Sequence, residues 1–219
     1  MQTGYAARQR AIFNLAKKEN TGSAPAPSYL RVEAVLNSTT NKYDFRFNRT
    51  GTEAATERKL DRNDRFIMSE IAVLLSAQDS ATIGKEVLQS YPNPLVFTGN
   101  TAADAVVLEH IYSGSTSLKI SNRVELEAFP NIFFRNVPST QQKAGIASIE
   151  TAVALSQINI KEVMYELGAL INLDGADDAT LSVEFPKFTG TALTPGGTIS
   201  YKLVFFATGY LIKNGSANK

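Results

Sequence analysis

Apolar and polar positions alternate through most of this chain, and the alternation changes character near its end. Residues 198–212 read TISYKLVFFATGYLI. Ile199, Tyr201, Leu203 and Phe205 fall on one side and Ser200 and Lys202 on the other, until Val204 and Phe206 make both sides apolar. Period-two spacing that passes into a continuous apolar run is expected of a strand whose first half has one solvated face and whose second half is covered on both. Its residues are β-branched or aromatic, which suits a pleated surface. The stretch predicts a central strand of an all-β core.

The rest of the chain supplies partners for it. Residues 4–19 have helical spacing, with Tyr5, Ile12, Leu15 and Ala16 near one face and Arg8, Arg10, Lys17 and Lys18 around the rest. TGSAPAPS, residues 21–28, reads as a semi-extended linker. Residues 1–28 are thus expected to be a basic arm tethered to a body of residues 29–214, with 215–219 as a frayed tail. Residues 30–36 and 43–47 alternate on either side of NSTTN and predict a hairpin. Residues 49–64 are charged and predict a surface loop. RFIMSEIAVLLSA, residues 65–77, is apolar on both faces and predicts a buried strand.

Further along, Pro92 and Pro94 limit residues 87–97 to an edge or irregular strand. Thr101 with Asp104 resembles a capping box opening a short helix to Tyr112, which Gly114 would end. A second hairpin joins Leu118 and Ile120 to Val124, Leu126 and Ala128 through Asn122-Arg123. A long loop follows, then a helix over 144–157 with Ile146, Ile149 and Val153 as its stripe. Tyr165, Leu167, Ala169, Ile171 and Leu173 share one face of a long strand, and Leu181, Val183 and Phe185 answer across the tight DGADD. About eight to nine strands with only short helices do not fit a parallel α/β sheet, which needs regular alternation. They fit an all-β fold, an antiparallel β-sandwich of jelly-roll type with an N-terminal amphipathic helix or arm and short loop helices.

Composition narrows the function classes. A chain of 219 residues, 43% hydrophobic and 20% charged, can bury one large β core. A net charge of +1 does not indicate a globally basic nucleic-acid binder, so the arm is a local exception. The absence of cysteine removes disulfides, thiolate metal sites and cysteine nucleophiles together. No apolar run has signal-peptide form or reaches about 18 residues, so neither a leader nor a transmembrane segment is expected.

Candidate chemistry is sparse. The one histidine, His110, stands beside Glu109 without a serine elbow or an orienting carboxylate in its sequence context. Asp174, Asp177 and Asp178 are the weak metal candidates, as oxygen ligands for calcium, but Asp and Gly are also what a tight turn needs. Glu125 and Glu127 share a strand face, whereas a glycosidase pair normally draws on two strands. Neither phosphate-binding glycine motif is present. No catalytic residue, metal or cofactor is therefore expected, and the chain does not read as an enzyme. The basic arm alone points somewhere: Arg8, Arg10, Lys17 and Lys18 can meet phosphates by counterion release, while the apolar face packs on the body or a neighbouring subunit.

The order of RQRAIFNLAKK, the linker TGSAPAPS and a strand series ending in TISYKLVFFATGYLI resembles the single jelly-roll coat subunits of viruses and bacteriophages. FPNIFFRNVPSTQ, residues 129–141, is similar to stretches of phage virion proteins. The resemblance implies a self-assembling capsid subunit that forms a shell around a phage or viral genome, made in the host cytoplasm and located in the virion. Its partners would be further copies, other virion proteins and nucleic acid met through the arm. Subunit contacts would fall on Tyr5, Ile12, Phe13 and Leu15 of the arm and on Val204, Phe206 and Tyr210 of the last strand. The alternative is a virion accessory or spike module, or a cell-surface ligand-binding sandwich.

Overall fold

The computed structural model describes residues 2–19, 23–81, 86–137, 160–187 and 192–215. Helix α1 (Gln2–Glu19) comes first, followed by strands β1 (Ala26–Val35), β2 (Lys42–Arg46), β3 (Arg65–Asp79) and β4 (Glu86–Gln89). A short helix α2 (Asp104–Leu108) runs into a 3-10 turn (Glu109–Ser113), then come β5 (Ser115–Ile120), β6 (Arg123–Pro130) and a second 3-10 turn (Asn131–Phe134). After one turn of helix, α3 (Ile160–Val163), the chain ends in β7 (Tyr165–Asp174), β8 (Ala179–Glu184) and β9 (Ile199–Ile212).

The strands pair antiparallel in two sheets. The first runs β1-β9-β3, and the far side of β3 is shared end to end by β7, opposite residues 65–71, and β4, opposite residues 75–78. The second runs β2-β8-β5-β6. Leu30, Val32, Leu203 and Phe205 of the first sheet and Phe45, Leu118, Leu181 and Val183 of the second are buried in one core between them. The chain is an all-β antiparallel sandwich, as the alternation predicts, because each strand turns its apolar set inward.

A register shift between Met68 and Glu70 lets β3 serve two faces. Before it Phe66 and Met68 enter the central core, and after it Ile71, Val73 and Leu75 do. A bulge exchanges the faces of everything beyond it. At this point a Cβ on Gly209 of β9 would sit 1.9 Å from the carbonyl oxygen of Ile67, so only glycine passes.

The expected hairpin of residues 30–36 and 43–47 is corrected: β1 pairs with β9, β2 pairs with β8, and the loop between them turns a corner from one sheet to the other. DGADD makes a similar corner, from β7 in the first sheet to β8 in the second. The β5–β6 hairpin is present, with Ser121 at a φ of 52°. The strand over residues 65–77 is present as β3. The expected capping box is absent: Ala103 holds the cap position, and Asp104 is buried and accepts from the Thr194 backbone N–H at 2.9 Å, which pins another loop. The expected helix over 144–157 lies outside the described residues.

One edge of each sheet, β1 in the first and β6 in the second, is guarded. Arg58 bridges the outer side of β1 at Arg31 in both hydrogen-bonding directions. On β6 two register shifts, Ala128 at a φ of 46° and the terminal Pro130 break up that edge of the second sheet. Bulges, charge and proline all discourage an edge from recruiting a foreign strand.

Candidate functional site

The outer face of the first sheet collects most of the residues singled out by the sequence. Helix α1 lies on one end of it. Ile12 and Ala16 are buried against Ile67, Tyr210 and Ile212, with Phe13 and Leu170 packed around them. The Phe13 ring meets Tyr210 edge-on at 5.7 Å, and the Tyr210 hydroxyl donates to the Gln9 carbonyl at 3.2 Å. The arm is thus docked on its own sheet. The boundary at residue 28 also falls inside β1, since Ala26, Pro27 and Ser28 already pair with Leu211, Tyr210 and Gly209.

Arg8 is the polar anchor of this docking. Between its two paired stretches with β3, β7 sets residues 167–170 against Ser69 alone. The Arg8 guanidinium spans this break, donating to the Leu167 carbonyl at 2.8 Å and the Ser69 carbonyl at 3.4 Å. It also pairs with Glu166 at 3.3 Å and Glu70 at 3.8 Å. Glu70 in turn accepts from the Thr208 hydroxyl at 2.6 Å. Arg8 therefore faces the protein and is not placed to meet a phosphate.

Arg10, Lys17 and Lys18 are exposed and lie with Asn14 along the opposite side of α1, at spacings of four, seven and eight residues. Leu15 is 47% exposed. The Tyr5 side chain is outside the described residues.

Val204 and Phe206 are covered within the chain by Ala72, Leu74, Leu88 and Val163, with Met164 beside them. Tyr29 stacks on Phe206 with centroids 5.1 Å apart and planes at 7°. Tyr210 is covered by α1. The three strand positions expected at a subunit contact thus have intramolecular covers.

Beyond Val204 the same face carries a charged cluster that the sequence did not signal. Lys202 donates to Glu33, and Arg31 donates to Glu33 at 2.9 Å and to Glu86. Thr56 and Ser76 hydroxyls donate to Glu33 at 2.8 Å and to Glu86 at 2.6 Å. The Glu33 side chain is 4% exposed and the other three between 10% and 12%. Burial alone would push the Glu33 carboxyl up, but hydrogen bonds from Lys202 and Thr56 and the charges of Arg31 and Lys202 hold it below the usual carboxylate range. Burial would likewise lower Arg31, yet Glu86 and then Glu33 raise it.

The remaining candidates separate. Asp178 pairs with Arg46, and Asp174 lies 3.6 Å from Arg65 while accepting from the Ala176 N–H at 3.0 Å. Asn48 donates to the Gly175 and Asp177 carbonyls, both at 3.0 Å, and holds the DGADD corner. Among the described residues no three of His, Cys, Asp or Glu gather as a metal site. His110 lies in the first 3-10 turn, and Glu125 pairs with Arg123. A cleft of about 520 Å³ opens between residues 49–61 and the paired ends of β1 and β9. Arg49 pairs with Asp61 at 3.4 Å and Lys59 with Glu57 at 3.3 Å, while Arg58 lies over the Tyr29 ring at 5.0 Å. No helix among the described residues is long and apolar enough to cross a membrane.

No family model, no curated protein and no solved structure matches this chain.

Proposed function

We propose that this protein is a non-catalytic virion structural protein, a self-assembling capsid subunit built as a single jelly roll. The observation that carries the reading is the nesting of strand partners: β1 with β9, β2 with β8, β3 with β7, β5 with β6. Successive pairs alternate between the first and second sheets. Such an order is one long antiparallel ribbon, folded at Ser121-Asn122 and rolled up on itself, with β4 as an added strand. Jelly rolls share this double Greek-key layout, and viral coat subunits are prominent among them. The described charged side chains favour a structural role, since many serve in ion pairs and in contacts that hold loops and corners.

The setting is the virion after synthesis in the host cytoplasm, with further copies and other virion proteins as partners. The outward side of α1 is the surface for nucleic acid. Size-exclusion chromatography with light scattering, followed by negative-stain microscopy, is expected to show large closed particles. A protein that stays monomeric at high concentration across a range of salt overturns the reading.

Nucleic-acid binding, on the same reading, uses Arg10, Lys17 and Lys18 but not Arg8. Replacing those three with alanine should flatten the dependence of log affinity on log salt by roughly 2–3, from about 0.7–0.9 per phosphate contact. A slope equal to the wild-type value would remove α1 from the interface.

A further inference from the structure

We propose that a strip on the helical turns flanking β5 and β6 is a two-fold contact between copies of this chain. Val106 is 71% exposed, Ile132 54% and Phe133 57%. Between them Arg135 makes a forked pair with Glu109, its Nε donating to Oε2 at 3.0 Å and its Nη2 to Oε1 at 2.8 Å.

Residue spacing sets an apolar side chain beside each member of this pair. Val106 precedes Glu109 by three residues on one helical run, so the two are surface neighbours. Ile132 precedes Arg135 by three at the second 3-10 turn, where side chains at this spacing eclipse. The Arg135 N–H returns to the Ile132 carbonyl at 3.1 Å. The order across the surface is Val106, Glu109, Arg135, Ile132. Phe133 is held beside Ile132 by its rings' contacts with Phe129 at 5.4 Å and Tyr165 at 5.7 Å.

Single exposed apolar residues need no explanation, but Ile132 and Phe133 are exposed side by side, and with Val106 across the Glu109–Arg135 pair they make a mixed strip suited to a contact. The charge pattern selects the occupant. A polyanion or polycation would meet as much repulsion as attraction on a central Glu–Arg pair. A second copy turned through 180° about an axis at that pair sets Glu109 of each copy against Arg135 of the other and lays apolar on apolar, which is the self-complementarity a two-fold contact requires. At the guarded β1 and β6 edges sheet extension is discouraged, which favours faces and turns there. This goes beyond the coat reading, which needs only that copies meet.

Charge reversal tests it. Glu109→Arg and Arg135→Glu should each weaken self-association in analytical ultracentrifugation by at least about tenfold, because like charges then face each other. An equimolar mixture of the two should recover it as a mixed pair, since one copy carries two positive groups and the other two negative ones. Ile132→Ser should weaken association with an unchanged melting temperature, which covers the case in which a charge reversal fails to fold. Variants that associate like the wild type, or folded variants whose mixture shows no recovery, overturn the proposal. In that event particles still formed by the wild type leave the coat reading standing, whereas a wild type that never associates removes both.

Discussion

Lys202→Met should lower the melting temperature by about 10 °C. The substitution keeps most of the side-chain volume and removes the ammonium that faces Glu33. Glu33 is then left with one cation, Arg31, which it shares with Glu86. Removing one partner from a buried ionic cluster costs about 3–5 kcal/mol, and each kcal/mol shifts the melting point of a domain this size by about 2–4 °C. The double variant Lys202→Met/Glu33→Leu should recover most of the loss, because it leaves the balanced pair Arg31–Glu86 and puts apolar groups beside Val204. A single variant that melts like the wild type would show the cluster to be energetically idle.

The same cluster predicts a pH dependence. The folded carboxyl of Glu33 titrates below its ordinary value near 4.5. Between those two values the unfolded chain binds a proton that the folded chain refuses, so stability falls as the pH drops through that window. Above about 4.5 the contribution is fully present. Wild-type stability should therefore decline more steeply on acidification below pH 4.5 than that of the Lys202→Met/Glu33→Leu variant, read as urea midpoints at successive pH values. Parallel curves would contradict this.

Deleting residues 1–22 should destabilise the sandwich by roughly 5 kcal/mol and raise its binding of an apolar dye. The cut keeps all of β1, whereas a cut after residue 28 would take three of its paired residues. It uncovers Ile67, Tyr210 and Ile212 and removes the burial of Ile12, Ala16 and part of Phe13. Each large side chain contributes about 1.5–3 kcal/mol when fully buried. Two point variants separate packing from charge. Arg8→Met should weaken the protein measurably, since the break between β3 and β7 loses its guanidinium. Arg10→Met should lie within about 0.5 kcal/mol of wild type, as surface changes usually do. A truncated protein with wild-type melting and no dye binding would mean that α1 adds nothing to the body.

Much of the sandwich was legible because burial imposes period two on a strand. The strands β3 and β9, the β5–β6 hairpin and the all-β class follow from that rule. Connectivity did not follow. A hairpin and a corner between sheets both place a polar loop between two alternating runs, and in both the apolar sides end up in one core. Only the partner strands, β9 and β8, tell β1 and β2 apart, and they lie more than a hundred residues away in sequence.

Arg8 was misgrouped for a related reason. Its spacing with Ile12 and Ala16 places it on the docked stripe, but a basic residue reads as solvated unless its acceptors are known. Those acceptors are carbonyls of Leu167 and Ser69, which no side-chain pattern can announce. Arg31, Glu33 and Lys202 likewise alternate as a wet sheet face does, and their burial depends on Glu86 and Thr56 arriving from elsewhere.

The pairing of β1 with β9 along its whole length, from Ala26 opposite Leu211 to Val35 opposite Lys202, also bears on how the molecule is made. β1 must wait for β9, which is made much later, and β9 is also the strand that joins β1 to β3. Closure over such a separation is slow and comes late in folding. On the ribosome β3 has no neighbour along the side that β9 will occupy, so the nascent chain carries unfinished apolar surface that needs shielding. The 14 residues of β9 therefore act as a timer: the first sheet stays open along β1 and β3 until they have been made.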